Sequence, residues 1–169
     1  DADQFAREVV RPGQPALEQI REVFGPSILR RDGTLDRTQL GAHVFKTPGA
    51  LESLEAILHP AIRLAVTEAL EERVQAGATM IVYEAALLLE KQLEDQMDKV
   101  LVVTAPMESK RSRVRSRDGL NAEEFDARIR QQMSADLQAS KADLVLQNDG
   151  DITLLRSRCK AAYKRLEEW

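Results

Sequence analysis

The chain has 169 residues, a formal net charge of −4 and 43% hydrophobic but only 4% aromatic side chains. Its core must therefore be built from Leu, Val, Ile and Ala, and a chain this apolar is not disordered throughout. Its acidic balance excludes a general nucleic-acid or anionic-surface binder, no apolar run reaches the roughly 18 residues of a membrane span, and one Cys with two His leaves almost no zinc ligands. Cys159 has no internal disulfide partner, which suits a reducing, cytoplasmic setting.

In chain order, Asp3 is expected to cap a short helix from Gln4 to Val10 that ends at Arg11-Pro12-Gly13. Leu17, Ile20, Val23 and Phe24 make an apolar helical stripe stopped by Gly25-Pro26, and Asp32-Gly33 reads as a turn. Asp36 starts a helix carrying Leu40 and Val44. Thr47-Pro48 reads as an N-cap with proline at the first helical position, leading to Leu51, Leu54, Ile57 and Leu58, and His59-Pro60 is expected to break that helix. A longer helix with Ile62, Val66 and Leu70 closes at Gly77.

After Gly77 the pattern changes. Met80–Tyr83, Val100–Val103 and Leu144–Leu146 are short apolar β-rich runs, each followed by a helical stretch, and they predict three buried parallel strands. The helix after the second starts at Pro106, Asn121 to Glu124 resembles a capping box, and a last amphipathic helix runs from about Asp151 to Trp169. The fold class is α/β with an all-helical segment in front.

Several residues carry possible chemistry. Asp1 and Asp3 can hold hydrated Mg²⁺ or take a proton from a hydroxyl, and Arg7, one turn beyond Asp3, can hold a phosphate; the plainer account is a helix cap with an i, i+4 ion pair. Glu84 and Glu90 flank the end of a predicted strand, where open α/β sheets bind ligands, though a carboxylate can also simply end a strand. Arg113 and Arg117 share a helical face before Asp118-Gly119; they suit a lid that brings guanidinium groups onto phosphates, or an ordinary solvated basic face. An RNA-binding arm ranks last because no aromatic side chain interleaves the basic run. Asn148-Asp149-Gly150 is a turn that can meet an adenine edge, and His59 can be a ligand contact or an internally bonded side chain.

Their order is more specific than any one of them. Asp-Ala-Asp-x-x-Ala-Arg-x-Val from Asp1, Leu-His-Pro-x-Ile from Leu58, Ala-Leu-Leu-Leu-Glu from Ala86, Val-Leu-Val-Val-Thr-Ala-Pro from Val100, Arg-Asp-Gly-Leu from Arg117 and Ala-Asp-Leu-Val-Leu-Gln-Asn-x-Gly from Ala142 together resemble the dephospho-CoA kinases. That resemblance implies a P-loop kinase-like, three-layer parallel sheet with a helical substrate-binding insertion and a lid. Residues 1–3 and 76–169 would form the nucleotide-binding core, 107–135 its lid, and 4–75 the dephospho-CoA-binding domain. It implies ATP and Mg²⁺, dephospho-CoA as acceptor, and phosphoryl transfer to the ribose 3′-hydroxyl. Asp3 would be the base and Asp1 would support the metal through water. Arg113 and Arg117 would lie on the ATP phosphates, Arg7, His59, Glu84 and Glu90 with the acceptor, and Asn148 and Gly150 by the adenine.

Two features depart from the family pattern. Ala86 and Leu89 stand where Pro and Phe are usual, a change that keeps the apolar character. No Gly-x-x-x-x-Gly-Lys-Ser/Thr loop occurs in the 169 residues, so the first strand and that phosphate-binding loop, a unit of roughly 30 residues, are expected ahead of Asp1. These residues alone are accordingly expected to be inactive. The alternatives are a non-catalytic P-loop relative that binds CoA or a nucleotide, and a kinase of another small metabolite.

Overall fold

In the computed structural model, which describes residues 1–168, the chain divides into two units, Asp1–Ala86 and a second that begins at Leu87. The first is helical. Helix α1 (Ala2–Glu8) is capped by Asp1, whose carboxylate accepts from the Asp3 and Gln4 amides; the expected cap, Asp3, lies inside the first turn instead. Pro15 opens α2 (Pro15–Phe24), where its missing N–H is no loss, and Gly25 at φ 82° ends it in a backbone conformation that a side chain would resist. Asp32 accepts from the Thr34 amide and hydroxyl in the expected turn, across which Leu29 and Leu35 form an antiparallel bridge. Asp36 caps α3 (Arg37–Lys46).

Two expectations fail in the next segment. Thr47 does not begin a helix: it is the C-cap of α3, its N–H donating to the His43 carbonyl, and Gly49 two residues later is the N-cap of α4 (Ala50–Gln75). Nor does His59-Pro60 break that helix, which runs unbroken for 26 residues with Pro60 inside it. The reason is packing. Leu54, Ile57 and Leu58 before Pro60, and Ala61, Ile62 and Ala65 after it, lie against one core of Val9, Val10, Leu17, Ile20, Ile28, Leu40, Val44 and Ala50. That shared burial outweighs the one backbone hydrogen bond proline removes. Pro60→Ala is therefore expected to stabilise the protein, by about 1–3 kcal/mol, since proline is about 3 kcal/mol worse than alanine in a helix interior. A rise in thermal midpoint checks this; a fall would mean that the local shape proline imposes is needed. Of the predicted α2 stripe, Val23 is 57% exposed and outside the core.

Met80–Tyr83 is not a strand. Among the described residues the sheet consists of β1 (Leu101–Thr104) and β2 (Leu144–Gln147), so the third run has no ladder to join, and Val82 is 78% exposed. An apolar β-branched run is only half of a strand; the other half is a neighbour's backbone.

In the second unit, β1 and β2 pair in parallel, Leu101 opposite Leu144 and Thr104 opposite Gln147. A parallel pair needs a long crossover, here α5 (Met107–Asp118), α6 (Ala122–Arg130) and α7 (Ala135–Ser140). Gly119, at φ 70°, turns the chain after α5, and the capping box of Asn121 and Glu124 starts α6 as expected. Arg111 clips these two helices together by pairing with Asp126 at 3.0 Å and lying over the Phe125 ring. Helix α8 (Ile152–Glu167) follows, capped by Asp151; the end expected for it, Trp169, lies outside the described residues.

Asp143 sets the entry to the sheet. Its carboxylate accepts from the Val100 amide at 2.8 Å and from the Lys99 ammonium at 3.2 Å, while its own N–H donates to the Val100 carbonyl. The Val100 hydrogen bond first, and Lys99 after it, hold this carboxyl below the usual carboxylate range. A lowered folded-state pKa adds stability that is present above the unfolded value, near pH 4, and is lost as pH falls through the folded one. Asp143→Asn is therefore expected to remove part of the acid-side drop in a plot of thermal midpoint against pH below about pH 4. An unchanged profile would contradict this.

Candidate functional site

At the start of the first unit, the Asp1 cap orients the first turn of α1 and leaves Asp3 and Arg7 exposed one turn apart. Among the described residues they form no ion pair with each other, so the simple i, i+4 pair is not what these side chains do. The Ala2 amide donates to the Glu84 carbonyl at 2.8 Å. That bond ties the Asp1–Asp3 turn to the segment after Met80–Tyr83 and brings Asp1, Asp3 and Glu84 into one neighbourhood through the backbone. On α4, His59 is half exposed, its Nε2 3.9 Å from the Glu55 carboxylate.

Among the described residues no three His, Cys, Asp or Glu side chains gather as a metal site. The donors present nonetheless fit a hydrated Mg²⁺ held partly by substrate. Both cap bonds fall on Asp1 Oδ1 and leave Oδ2, and Mg²⁺ sites commonly use one or two carboxylates, with waters and substrate phosphates completing the shell.

In the second unit, the C-terminal ends of β1 and β2 are locked by polar contacts. The Asn148 amide donates to the Thr104 carbonyl at 2.7 Å, and the buried Thr104 hydroxyl donates to Gln147 Oε1 at 2.7 Å. From α5, Arg113 Nη2 reaches the Asn148 backbone oxygen at 3.2 Å and its Oδ1 at 3.1 Å. From α8, Arg158 donates to the Gln147 carbonyl and the Asp149 carboxylate. Gly150 lies close to Leu154, so a side chain there would need Leu154 to move.

Arg117 is placed differently. Its Nε and Nη2 donate to the two oxygens of Asp118 at 2.8 and 2.9 Å, and Arg128 approaches the same carboxylate at 3.5 Å. This fork raises the Arg117 pKa and holds the Asp118 carboxyl below its usual range. Arg117 lies at the end of α5, three quarters exposed. Glu90 accepts from the Met133 amide at 3.2 Å and from the Gln138 side chain at 3.4 Å, so one oxygen of this expected substrate carboxylate braces the α6–α7 connection.

Sequence reasoning missed three participants: Arg158, Asp118 as the partner of Arg117, and Thr104. Arg158 lies on the far side of α8's first turns from Asn148 in sequence and belongs to no motif. Asp118 was visible only as half of a turn signal.

Comparison with known proteins agrees with this architecture. The family model for dephospho-CoA kinase (CoaE) matches residues 1–153. The dephospho-CoA kinase of Anaeromyxobacter dehalogenans is 47% identical over 150 residues, which are 89% of this chain and 71% of that protein. That of Moorella thermoacetica is 39% identical over 168 residues, covering 99% and 79%. Among solved structures, TT1252 from Thermus thermophilus superposes with a TM-score of 0.79 at 34% identity, covering 98% of this chain and 83% of that one. The dephospho-CoA kinase of Campylobacter jejuni gives 0.67 at 25% identity, covering 99% and 83%. No described helix is long and apolar enough to cross a membrane.

Proposed function

Because the chain belongs to the dephospho-CoA kinase family, we propose that the protein transfers the γ-phosphoryl of ATP to the ribose 3′-hydroxyl of dephospho-CoA, giving coenzyme A and ADP, in the cytoplasm. The observation that carries the reading is the extent of the family match together with the Asp1–Asp3 turn, which presents an exposed carboxylate where a hydroxyl proton can be taken.

Phosphoryl transfer requires positioning and charge neutralisation more than covalent help from the protein. In this reading Asp3 accepts the proton of the 3′-hydroxyl as its oxygen attacks the γ-phosphorus, and the bond from that phosphorus to the ADP oxygen breaks. Arg7 holds a phosphate of the acceptor, the helical region 4–75 receives the acceptor, and His59 and Glu84 contact it. Glu90, with one oxygen bracing the α6–α7 connection, has the other for substrate. Arg117 exchanges part of its bond with Asp118 for a phosphate of ATP, a swap that keeps the guanidinium paired throughout. Asn148 and Gly150 meet the base. Asp1 is the carboxylate that would hold a hydrated Mg²⁺, which when bound would draw charge from the phosphates.

The test is ADP release with a panel of acceptors. A protein containing these residues and an upstream phosphate-binding loop should turn over dephospho-CoA in preference to other nucleosides and small alcohols. Residues 1–169 alone, which contain no such loop, should release no ADP. Preference for another acceptor would overturn the substrate assignment. Dephospho-CoA binding without turnover in the loop-containing protein would favour a non-catalytic binder.

A further inference from the structure

Arg113 and Arg117 lie four residues apart on α5, yet their guanidinium groups have different partners: Arg117 a neighbouring carboxylate, Arg113 the residue that follows β2. We propose that Arg113 is a positioning residue for recognition of the nucleotide base, acting through the Asn148 carboxamide rather than on phosphate. This rests on the reading above that Asn148 meets the base.

The argument follows from what a guanidinium can do. It has only donors, so the carboxamide beside it must turn its oxygen to Arg113 and its Nδ2–H₂ group away. The rest of Asn148 is also committed: its N–H donates to Thr104 and its carbonyl accepts from Arg113. The neighbours on either side, Gln147 and Asp149, are held by Arg158. What half-buried Asn148 retains is a pair of amide donors in fixed orientation at the C-terminal end of a parallel strand, where α/β sheets bind ligands. Amide donors suit the ring-nitrogen acceptors of a purine. A carboxamide free to turn over would offer donors and acceptor alternately and would discriminate less between bases. Arg113 removes that freedom.

Affinities for adenosine, ADP and ATP in a kinase-active protein containing these residues test the proposal. Arg113→Ala should weaken all three by the same factor, up to the roughly tenfold that loss of a hydrogen bond from Asn148 to the base costs. Asn148→Ala should do likewise, and the double variant should be no worse than either single one. Asn148→Asp keeps an oxygen for Arg113 while losing both amide donors, so adenosine, which carries no charge, should bind it about as weakly as it binds Asn148→Ala. If Arg113→Ala weakens ATP and ADP but leaves adenosine unchanged, Arg113 is a phosphate contact; the proposal fails and the kinase reading stands. Additive single-variant losses would also overturn it. Absence of nucleotide binding in the unaltered protein would sink the kinase reading, and the proposal with it.

Discussion

Replacing Asp3 with Asn in an active protein containing this segment is expected to lower turnover about 10²–10⁴-fold, the range for loss of a positioned general base. The dissociation constant for dephospho-CoA should change far less. Asn keeps the size and polarity of the side chain and leaves the α1 cap, which belongs to Asp1, intact. Asp3 bonds through its backbone amide to that cap, so the helix should survive the substitution. Single-turnover kinetics beside equilibrium titration separates the two quantities. Loss of binding with an unchanged chemical step would mean that Asp3 holds the acceptor and does not deprotonate it.

The largest expected loss of stability is at Ile20. Its side chain is fully buried in the middle of α2, in the cluster that Val9, Val10, Leu17, Ile28, Leu40, Val44 and Ala50 complete. Because α1, α2 and α3 all pack against α4 around that cluster, a hole there cannot be closed by moving one element. Ile20→Ala should cost about 2–5 kcal/mol and Ile20→Val about 0.5–1.5 kcal/mol. Against a typical domain stability of about 5–15 kcal/mol, the alanine variant should be near the edge of folding. Urea titration checks both. A loss below about 1 kcal/mol for alanine would mean that the helical unit repacks freely.

Where the chain could be read correctly from sequence, the decisive physics was local. Asp36, Gly25 and the Asn121–Glu124 box each satisfy or end a helix with their own atoms or those of near neighbours, so spacing alone reveals them. The failures at Pro60 and Met80–Tyr83 have a different, non-local cause. Pro60 has a local cost that the core contacts of Leu54–Ala65 outweigh, and those contacts depend on three other helices. Thr47 and Asp3 fail for local reasons: Thr47 closes α3 as its C-cap, and Asp1 takes the cap of α1 two residues before Asp3. Met80–Tyr83 has strand composition without a paired neighbour.

The candidate site divides in the same way. Asp1, Asp3 and Arg7 were legible as candidates because two carboxylates stand two residues apart at a helix start and Arg7 lies one turn beyond Asp3. Arg113 was legible as a candidate, whereas its bond to Asn148 spans 35 residues and required the crossover to be formed. Arg158 carries no local signal, since its importance comes from where α8 returns to the end of β2.

The position of the new phosphate on the product bears most directly on all of this. Incubated with ATP and dephospho-CoA, a loop-containing protein that includes these residues should yield one phosphomonoester, attached at the ribose 3′ carbon and identified by phosphorus NMR as coenzyme A. A phosphate at the 2′ carbon, or no phosphorylated acceptor while ATP is still consumed, would contradict the account.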